Sequence, residues 1–442
     1  MELRLRMNRL AQLDRHPFHM PGHKGRFPFL GNNFDPTELP GLDNLHSPQD
    51  VLKRAQQRVA DIYGAKKTYF LVNGSSVGIM AGMLAVVKPG DLVLVQRSCH
   101  KAVVSGLIHS GAMPVWIDQD YCSVKNHWLP PTKEQVAGLL AAHPIRAAIF
   151  TSPDYYGLAP ELGDLTALCH LAKVKVVVDE AHGSHLNFGV KLGLPQGAVG
   201  AGCDIIVQSP HKTLPALTQS AWVHLNNLQL EDALGQALNL FHTTSPSYIL
   251  LSSLEYAGEF SQRHGYRLMK KLSLLANILE LKCAQFNLDF WSRENRDWTK
   301  FVMENRSGAL ELLHSRGIFP ELVRDDYILF MLTIADAVDS SGIAALTGVI
   351  PQLADLPLSV PASRSTPPPS PLQECTPREA WLHRGERVAL NHALGRISRQ
   401  VVAPYPPGTM VVAPGQRLGP DLIEYLAMLH GGKVVSEWIE VI

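Results

Sequence analysis

Ser209-Pro210-His211-Lys212 follows directly on the apolar run Cys203-Asp204-Ile205-Ile206-Val207-Gln208. A lysine just past the end of a buried strand is badly placed as a solvated charge. It is well placed to hold a carbonyl compound as a Schiff base, because strand ends in open α/β sheets are where ligands bind. Alone, such a lysine is more often simply solvated, so its company decides. Val176-Val177-Val178-Asp179-Glu180-Ala181-His182 puts an acid at the end of a valine-rich strand. A buried carboxylate is costly unless paired, so Asp179 needs a cationic partner, and a protonated pyridine nitrogen is one. Asn73-Gly74-Ser75-Ser76 lies between a strand and a helix. There the Ser75 and Ser76 hydroxyls and the first free N–H groups of the helix can cradle a phosphate, the plain alternative being an ordinary helix cap. The stretch matches neither a P-loop nor a G-x-G-x-x-G pattern, so a nucleoside triphosphate or NAD is not indicated. Ser98-Cys99-His100-Lys101 follows another strand, and the His100 ring either stacks on a planar cofactor or faces solvent at a helix start. A rival reading makes Asp179, His182 and His185 metal ligands, but no further cluster has metal-ligand spacing.

The elements that position these residues alternate regularly. Helical spacing at 53–63, 77–87, 101–109 and 165–172 alternates with apolar strands at 68–72, 92–95, 114–117, 146–150, 174–178 and 203–208. Thr132 with Gln135 reads as a capping box, and 221–225 as a further strand. Near-continuous apolar strands between helices predict an α/β fold: a mainly parallel sheet covered by helices on both faces. Asp179 and Lys212 then end consecutive strands, with enough chain between them for a βαβ crossover. Both face the carboxyl-terminal edge of the sheet, where the Ser75-Ser76 turn and His100 also open. We read residues 1–50 as an arm rich in Gly, Pro, His and Asn, and 51–260 as a large domain. Residues 261–350 carry a connecting helix over 261–286 and a strand over 327–334, with part of a smaller domain. Residues 351–377 form a proline-rich linker that excludes regular helix, and 378–442 a C-terminal unit.

Composition narrows the setting. The chain is 46% hydrophobic and 18% charged with zero formal net charge, which suits a compact protein and marks neither nucleic acid nor an anionic membrane as its partner. Six scattered cysteines without a C-x-x-C pair read as reduced thiols, neither a disulfide frame nor a zinc site. No apolar segment resembles a signal peptide or a membrane span, and a cytoplasmic location is expected.

A phosphate cradle, a stacking histidine, an acid and a lysine on one sheet edge match what pyridoxal 5′-phosphate (PLP) requires, with the acid keeping the ring nitrogen protonated. Here the chain resembles the ornithine/lysine/arginine decarboxylase family of fold-type I PLP enzymes, in a short form. The resemblance runs from His19-Met20-Pro21-Gly22-His23-Lys24-Gly25 through the four stretches above to Thr243-Thr244-Ser245-Pro246-Ser247-Tyr248 and Pro404-Tyr405-Pro406-Pro407-Gly408. It implies an aspartate aminotransferase-like fold with a smaller α+β C-terminal part. It further implies that Lys212 carries the cofactor, Asp179 pairs with the pyridine nitrogen and His100 stacks on the ring. His182 would lie near the phenolic oxygen and the substrate carboxylate, and Ser75, Ser76, Ser209 and His211 would hold the phosphate. In the family the Thr-Ser-Pro segment reaches a neighbouring subunit's cofactor. Thr244 and Ser245 would complete that site in a homodimer, with the 19–25 arm near the same interface. The implied reaction is decarboxylation of a basic amino acid, arginine first and lysine next, to its amine and CO2. One departure stands out: Pro414-Gly415-Gln416 replaces the family's usual Pro-Gly-Glu. A transaminase or aldolase reading of the same site calls for a carboxylate-binding arginine, with Arg396, Arg399 and Arg417 as candidates. The remaining alternative is a PLP-binding protein without catalysis.

Overall fold

The computed structural model describes residues 1–12, 35–123, 125, 127–294, 296–359, 367–404, 408–431 and 435–442. The 19–25 arm and residues 405–407 of the Pro-Pro-Gly motif therefore lie outside the described residues.

The strands of the main sheet are β1 (Lys67–Leu71), β2 (Leu92–Gln96) and β3 (Met113–Ile117), then β6 (Ile145–Thr151), β7 (Lys175–Glu180), β8 (Ile205–Gln208) and β9 (Ala221–Leu225); a two-residue hairpin of β4 (Tyr121–Cys122) and β5 (His127–Trp128) intervenes. Their spatial order is β1-β9-β8-β7-β6-β2-β3. Strands β3, β2, β6, β7 and β8 run parallel, and β9 is antiparallel to both β8 and β1. Strand β1 therefore points the same way as β8, and the carboxyl ends of β1, β2, β6, β7 and β8 share one edge. Strands β8 and β9 are buried along their whole length, and β7 in all but its first residue, because both faces are covered.

On one face Val177, Val207 and Val223 pack against the helices Ser75–Val86, Lys101–Ser110 and Glu231–Phe241. On the other, Val176, Val178 and Ile206 meet the helix Leu162–Leu171, while Phe70 and Trp222 join a core with the helices Val51–Tyr63 and Tyr248–Gln285. The helix Ser75–Val86 lies against the sheet at Gly78. A Cβ there would sit 2.7 Å from Val207 Cγ1, 2.8 Å from Val223 Cγ2 and 2.9 Å from Leu71 Cδ1. Gly78→Ala is accordingly expected to destabilise the fold by about 1–3 kcal/mol through overpacking. Urea denaturation checks this, and an unchanged midpoint would contradict it.

A second, three-stranded antiparallel sheet has the order β10-β12-β11, from β10 (Lys300–Glu304), β11 (Leu322–Val323) and β12 (Tyr327–Met331). The C-terminal unit pairs β13 (Glu386–Ala389) with β14 (Trp438–Val441) over a core of Val388, Leu418, Leu422, Leu426 and Ile439. It returns to the main sheet beside His100: Thr409 bridges His100, and Met410 N donates to Cys99 O at 3.2 Å.

Four elements differ from the expectation. The β7–β8 crossover contains two short 3-10 turns, Leu186–Phe188 and Val190–Leu192, and no α-helix. Gly183, Gly189, Gly193, Pro195 and Gly197 make it a poor helix former. The connecting helix starts earlier than expected, at Tyr248, because the Ser247 hydroxyl caps it by accepting from Leu250 N. Strand β12 stops at Met331, since Thr333 and Asp336 form a capping box that opens the helix Ile334–Val338. Pro351 lies inside the helix Ser341–Ala354, where the proline-rich composition had excluded regular helix. It falls in the last turn, and burial of Ile343, Leu346, Val349, Ile350 and Leu353 outweighs the one donor it removes.

Candidate active site

Lys212 sits in a one-turn helix, Pro210–Thr213, at the carboxyl end of β8, with proline at the first helical position where no donor is lost. Its Nζ lies 3.0 Å from His182 Nε2, at the exit of the neighbouring strand β7. Burial and the adjacent Lys212 hold the His182 pKa well below the usual histidine range, so its ring is neutral. With Lys212 donating, Nε2 accepts and the ring proton sits on Nδ1, which is buried and has no partner among the described residues. The Lys212 pKa is itself lowered, by burial first and opposed by Asp179.

Asp179, 5% exposed, is the next-to-last residue of β7. Its Oδ1 accepts from Ala181 N at 3.1 Å, and among the described residues no hydrogen bond reaches Oδ2. His100 is the N-cap of the helix Lys101–Ser110, and its Nδ1 accepts from Ala102 N at 3.2 Å. That bond leaves the ring proton on Nε2, and burial lowers its pKa despite the pull of Asp179. His100, Asp179, His182 and Lys212 thus meet on one edge, as their positions at strand ends predicted.

The anion-cradle candidates are placed unequally. Gly74, with φ +81°, allows the turn into the helix Ser75–Val86; Ser75 is half-buried and Ser76 exposed in its first turn. Thr243 N donates to Asn73 Oδ1 at 3.2 Å, tying the Thr-Ser-Pro segment to that turn. Among the described residues, the Ser209 and Thr213 hydroxyls are buried without partners. His211 Nδ1 donates to Ser220 O at 2.7 Å, which leaves Nε2 as its acceptor. Thr244 and Ser245 are exposed, and no hydrogen bond joins either to Lys212, His182 or Asp179 within the chain. These unpaired buried groups, the free helix N-terminus and the open Asp179 oxygen suit a planar aldehyde bearing a phosphate and a basic ring nitrogen.

The metal reading does not assemble. His182 meets Lys212, whereas His185 turns to Asp297 at 3.1 Å, and among the described residues no three His, Cys, Asp or Glu side chains form a metal-binding group. The candidate arginines are engaged in the C-terminal unit: Arg396 with Glu386, Arg399 with Glu440 and Arg417 with Glu374. Gln416 is fully buried; its Oε1 accepts from Ala413 N at 2.8 Å, and among the described residues its Nε2 has no partner.

Sequence reasoning missed Tyr155, whose ring edge meets His182 at 5.4 Å and whose hydroxyl donates to Glu321 at 2.6 Å. It also missed the function of Glu180, which points to the opposite face from Asp179. Glu180 starts a hydrogen-bonded line across four strands: Gln208 Nε2 donates to it at 2.6 Å, His224 Nε2 lies 3.0 Å from Gln208 Oε1, and Thr68 Oγ1 lies 2.8 Å from His224 Nδ1. Period-two alternation at Asp179-Glu180 was the available signal. Complete burial pushes the Glu180 pKa up to about 8. A carboxyl raised from 4.5 contributes stability that is fully present below pH 4.5 and lost as pH rises toward about 8. Glu180→Gln is therefore expected to lose less stability than the parent between pH 5 and 8 in urea titrations; parallel slopes would contradict this.

The chain matches the family model described as Orn/Lys/Arg decarboxylase, major domain, over residues 7–288, and the family's C-terminal domain over 364–434. It is 32% identical over 439 residues to the arginine decarboxylase of Bacillus subtilis (strain 168), covering 92% of this chain and 89% of that protein. Its fold superposes on the Francisella novicida lysine decarboxylase LdcF with a TM-score of 0.81 at 18% identity, over 100% of this chain and 81% of that one. A serine palmitoyltransferase structure with PLP shares the fold more loosely, with a TM-score of 0.56 at 13% identity over 69% of this chain and 76% of that one. With the family's major-domain and C-terminal-domain models both matched, this chain belongs to the Orn/Lys/Arg decarboxylase family.

Proposed function

We propose that the protein is a PLP-dependent decarboxylase of basic L-amino acids, with arginine the first substrate to test, and that Lys212 is the residue that carries the cofactor. The observation that carries this reading is the half-buried Lys212 amine 3.0 Å from a neutral His182, with the Asp179 carboxylate on the same strand edge. Asp179 would pair with the pyridine nitrogen and His100 would stack on the ring. Ser75, Ser76, Ser209 and His211 would hold the phosphate, and Ser209 and Thr213 have hydroxyls to spare. Bound there, PLP supplies an electron sink for the charge left at Cα when CO2 departs.

The chain's own residues do the rest. Burial lowers the Lys212 pKa, so more of its amine is free to act as a nucleophile near neutral pH. His182, neutral, can exchange a proton with the Lys212 amine through Nε2, and would lie near the substrate carboxylate. Cys99 and Ala102, both buried, flank His100 where it caps its helix.

We further propose a homodimer in which Thr244 and Ser245, exposed in the single chain, complete the partner's phosphate site. A cytoplasmic location suits the six free cysteines. The arginine assignment leans on the relatives named arginine decarboxylase. A panel of arginine, lysine and ornithine tests the reading, with CO2 and amine quantified together. Equimolar CO2 and amine from one of them is the expected result, with arginine turned over best. Keto acid in place of amine would make the protein an aminotransferase, and no product from any of the three would leave only cofactor binding.

A further inference from the structure

Three arginine or lysine side chains are buried among the described residues: Arg97, Arg296 and Lys300, which are 4%, 4% and 1% exposed. Two of them are bonded. Arg296 donates to Trp291 O at 3.3 Å and to Tyr156 O at 2.9 Å, and Lys300 Nζ donates to Asp297 Oδ2 at 3.2 Å. Arg97 differs. Its Nε and Nη1 are fully buried and have no hydrogen-bond partner among the described residues. The carboxylate that approaches it, Asp118, stays 3.9 Å from Nε, beyond hydrogen-bond distance, on a side chain that is 79% exposed.

Arg97 follows β2 directly, and its guanidinium lies over the Trp116 ring of the neighbouring strand β3, with Cζ 5.4 Å from the ring centroid. Trp116 is fixed in turn, since its indole N–H donates to Gln373 Oε1 at 3.0 Å. Gln119 is bonded to the residue after Arg97 and turns both ends of its amide elsewhere: Oε1 accepts from Ser98 N at 3.0 Å, and Nε2 donates to Leu129 O at 2.7 Å. An aromatic face orients a guanidinium but accepts none of its in-plane N–H groups. Nor does a carboxylate that stays in water offset the desolvation of the cation beside it. Methionine would fill the same space without that cost. A flat, shielded and unpartnered guanidinium with one approach from solvent, marked by Asp118, fits an oxyanion, whose oxygens match its N–H groups.

We propose that Arg97 forms an oxyanion site at the carboxyl end of β2, which takes a phosphate or a carboxylate from solution and is separate from the Ser75-Ser76 turn that would hold the cofactor's phosphate. Asp118 stands at its entrance and competes with the incoming anion for the guanidinium. The site lies three residues before His100, in a turn closed by Cys99 N donating to Gln96 O at 3.1 Å. It requires nothing of the role proposed for Lys212.

Equilibrium dialysis of the full-length protein against radiolabelled inorganic phosphate tests the site, at constant ionic strength and with PLP present so that the cofactor's own phosphate occupies its cradle. The parent is expected to bind one phosphate per chain, and Arg97→Met to bind it at least about tenfold more weakly. Asp118→Asn, a change at an exposed position, should tighten binding about two- to fivefold by removing the competing charge. Acetate that displaces the phosphate would identify a carboxylate as the fitting anion, and phosphate that resists acetate would identify a phosphate. Urea unfolding gives a second reading. Without phosphate, Arg97→Met should unfold at the parent's midpoint or above it, because it removes an unpaired buried charge; added phosphate should raise the parent's midpoint and leave that of Arg97→Met unchanged. A parent that binds no phosphate, or an Arg97→Met chain that binds it equally well, would overturn the proposal. So would displacement by chloride at the concentration of the phosphate, or an Asp118→Asn chain that binds no more tightly than the parent. An Arg97→Met chain that unfolds before the parent in phosphate-free urea would make Arg97 a structural cation and overturn it too.

Discussion

Lys212→Ala is expected to lose the visible absorbance of the Lys212–cofactor link and to lower turnover by at least about 10³-fold. The substitution removes the nucleophile and, with it, the donor that orders His182 through the 3.0 Å contact to Nε2. Lys212→Arg, which restores a cation without a free amine, should be as inactive. The fold should survive, since the helix Pro210–Thr213 is held by backbone bonds from Lys212 N to Ser209 O and from Leu214 N to Pro210 O. Spectral titration with PLP, read beside circular dichroism, separates a lost link from a lost fold. A Lys212→Ala protein that keeps the band would place the link on another lysine.

Asp179→Asn should act differently. Asparagine keeps the size of the side chain and can still accept from Ala181 N, but it brings no negative charge to a site that is 95% shielded from water. A ring nitrogen facing it would lose its proton, and turnover is expected to fall on the order of 10²–10³-fold, while Lys212 still forms its link. The two variants therefore make a pair, in which one loses the link and the other keeps the link and loses the rate. A fall of less than tenfold for Asp179→Asn would separate Asp179 from the ring nitrogen. The proposed shared site adds a third contrast. Mixing Lys212→Ala subunits with Ser245→Ala subunits should recover up to about a quarter of parental activity if each site draws on both chains of a two-fold dimer. No recovery would keep each site within one chain.

The candidate edge was legible because its residues interrupt strong patterns. Asp179 and Lys212 terminate runs of Val and Ile that can only be buried strands, and parallel connections bring such ends to one side. His100 and Ser75 were readable for the same reason, each opening a helix after a strand. What stayed hidden depends on contacts between distant segments. Lys300 and Asp297 stand in a stretch of mixed polarity, and only the fold brings them to a histidine more than a hundred positions away. Tyr155 and Glu321 meet in the same way. Pro351 misled because a local rule about proline was applied without the burial that decides a final helical turn. The β7–β8 crossover misled for the opposite reason: its length allowed a helix, while its glycines favoured turns.

Lys212 is the proposed carrier of PLP. Reduction of the holoenzyme with borohydride, followed by proteolysis and peptide mass spectrometry, tests this most directly. The expected result is one pyridoxyl-phosphate adduct per chain, on the peptide containing Lys212, with Lys101 and Lys300 unmodified. An adduct on either of those lysines, or none on Lys212, would contradict that assignment.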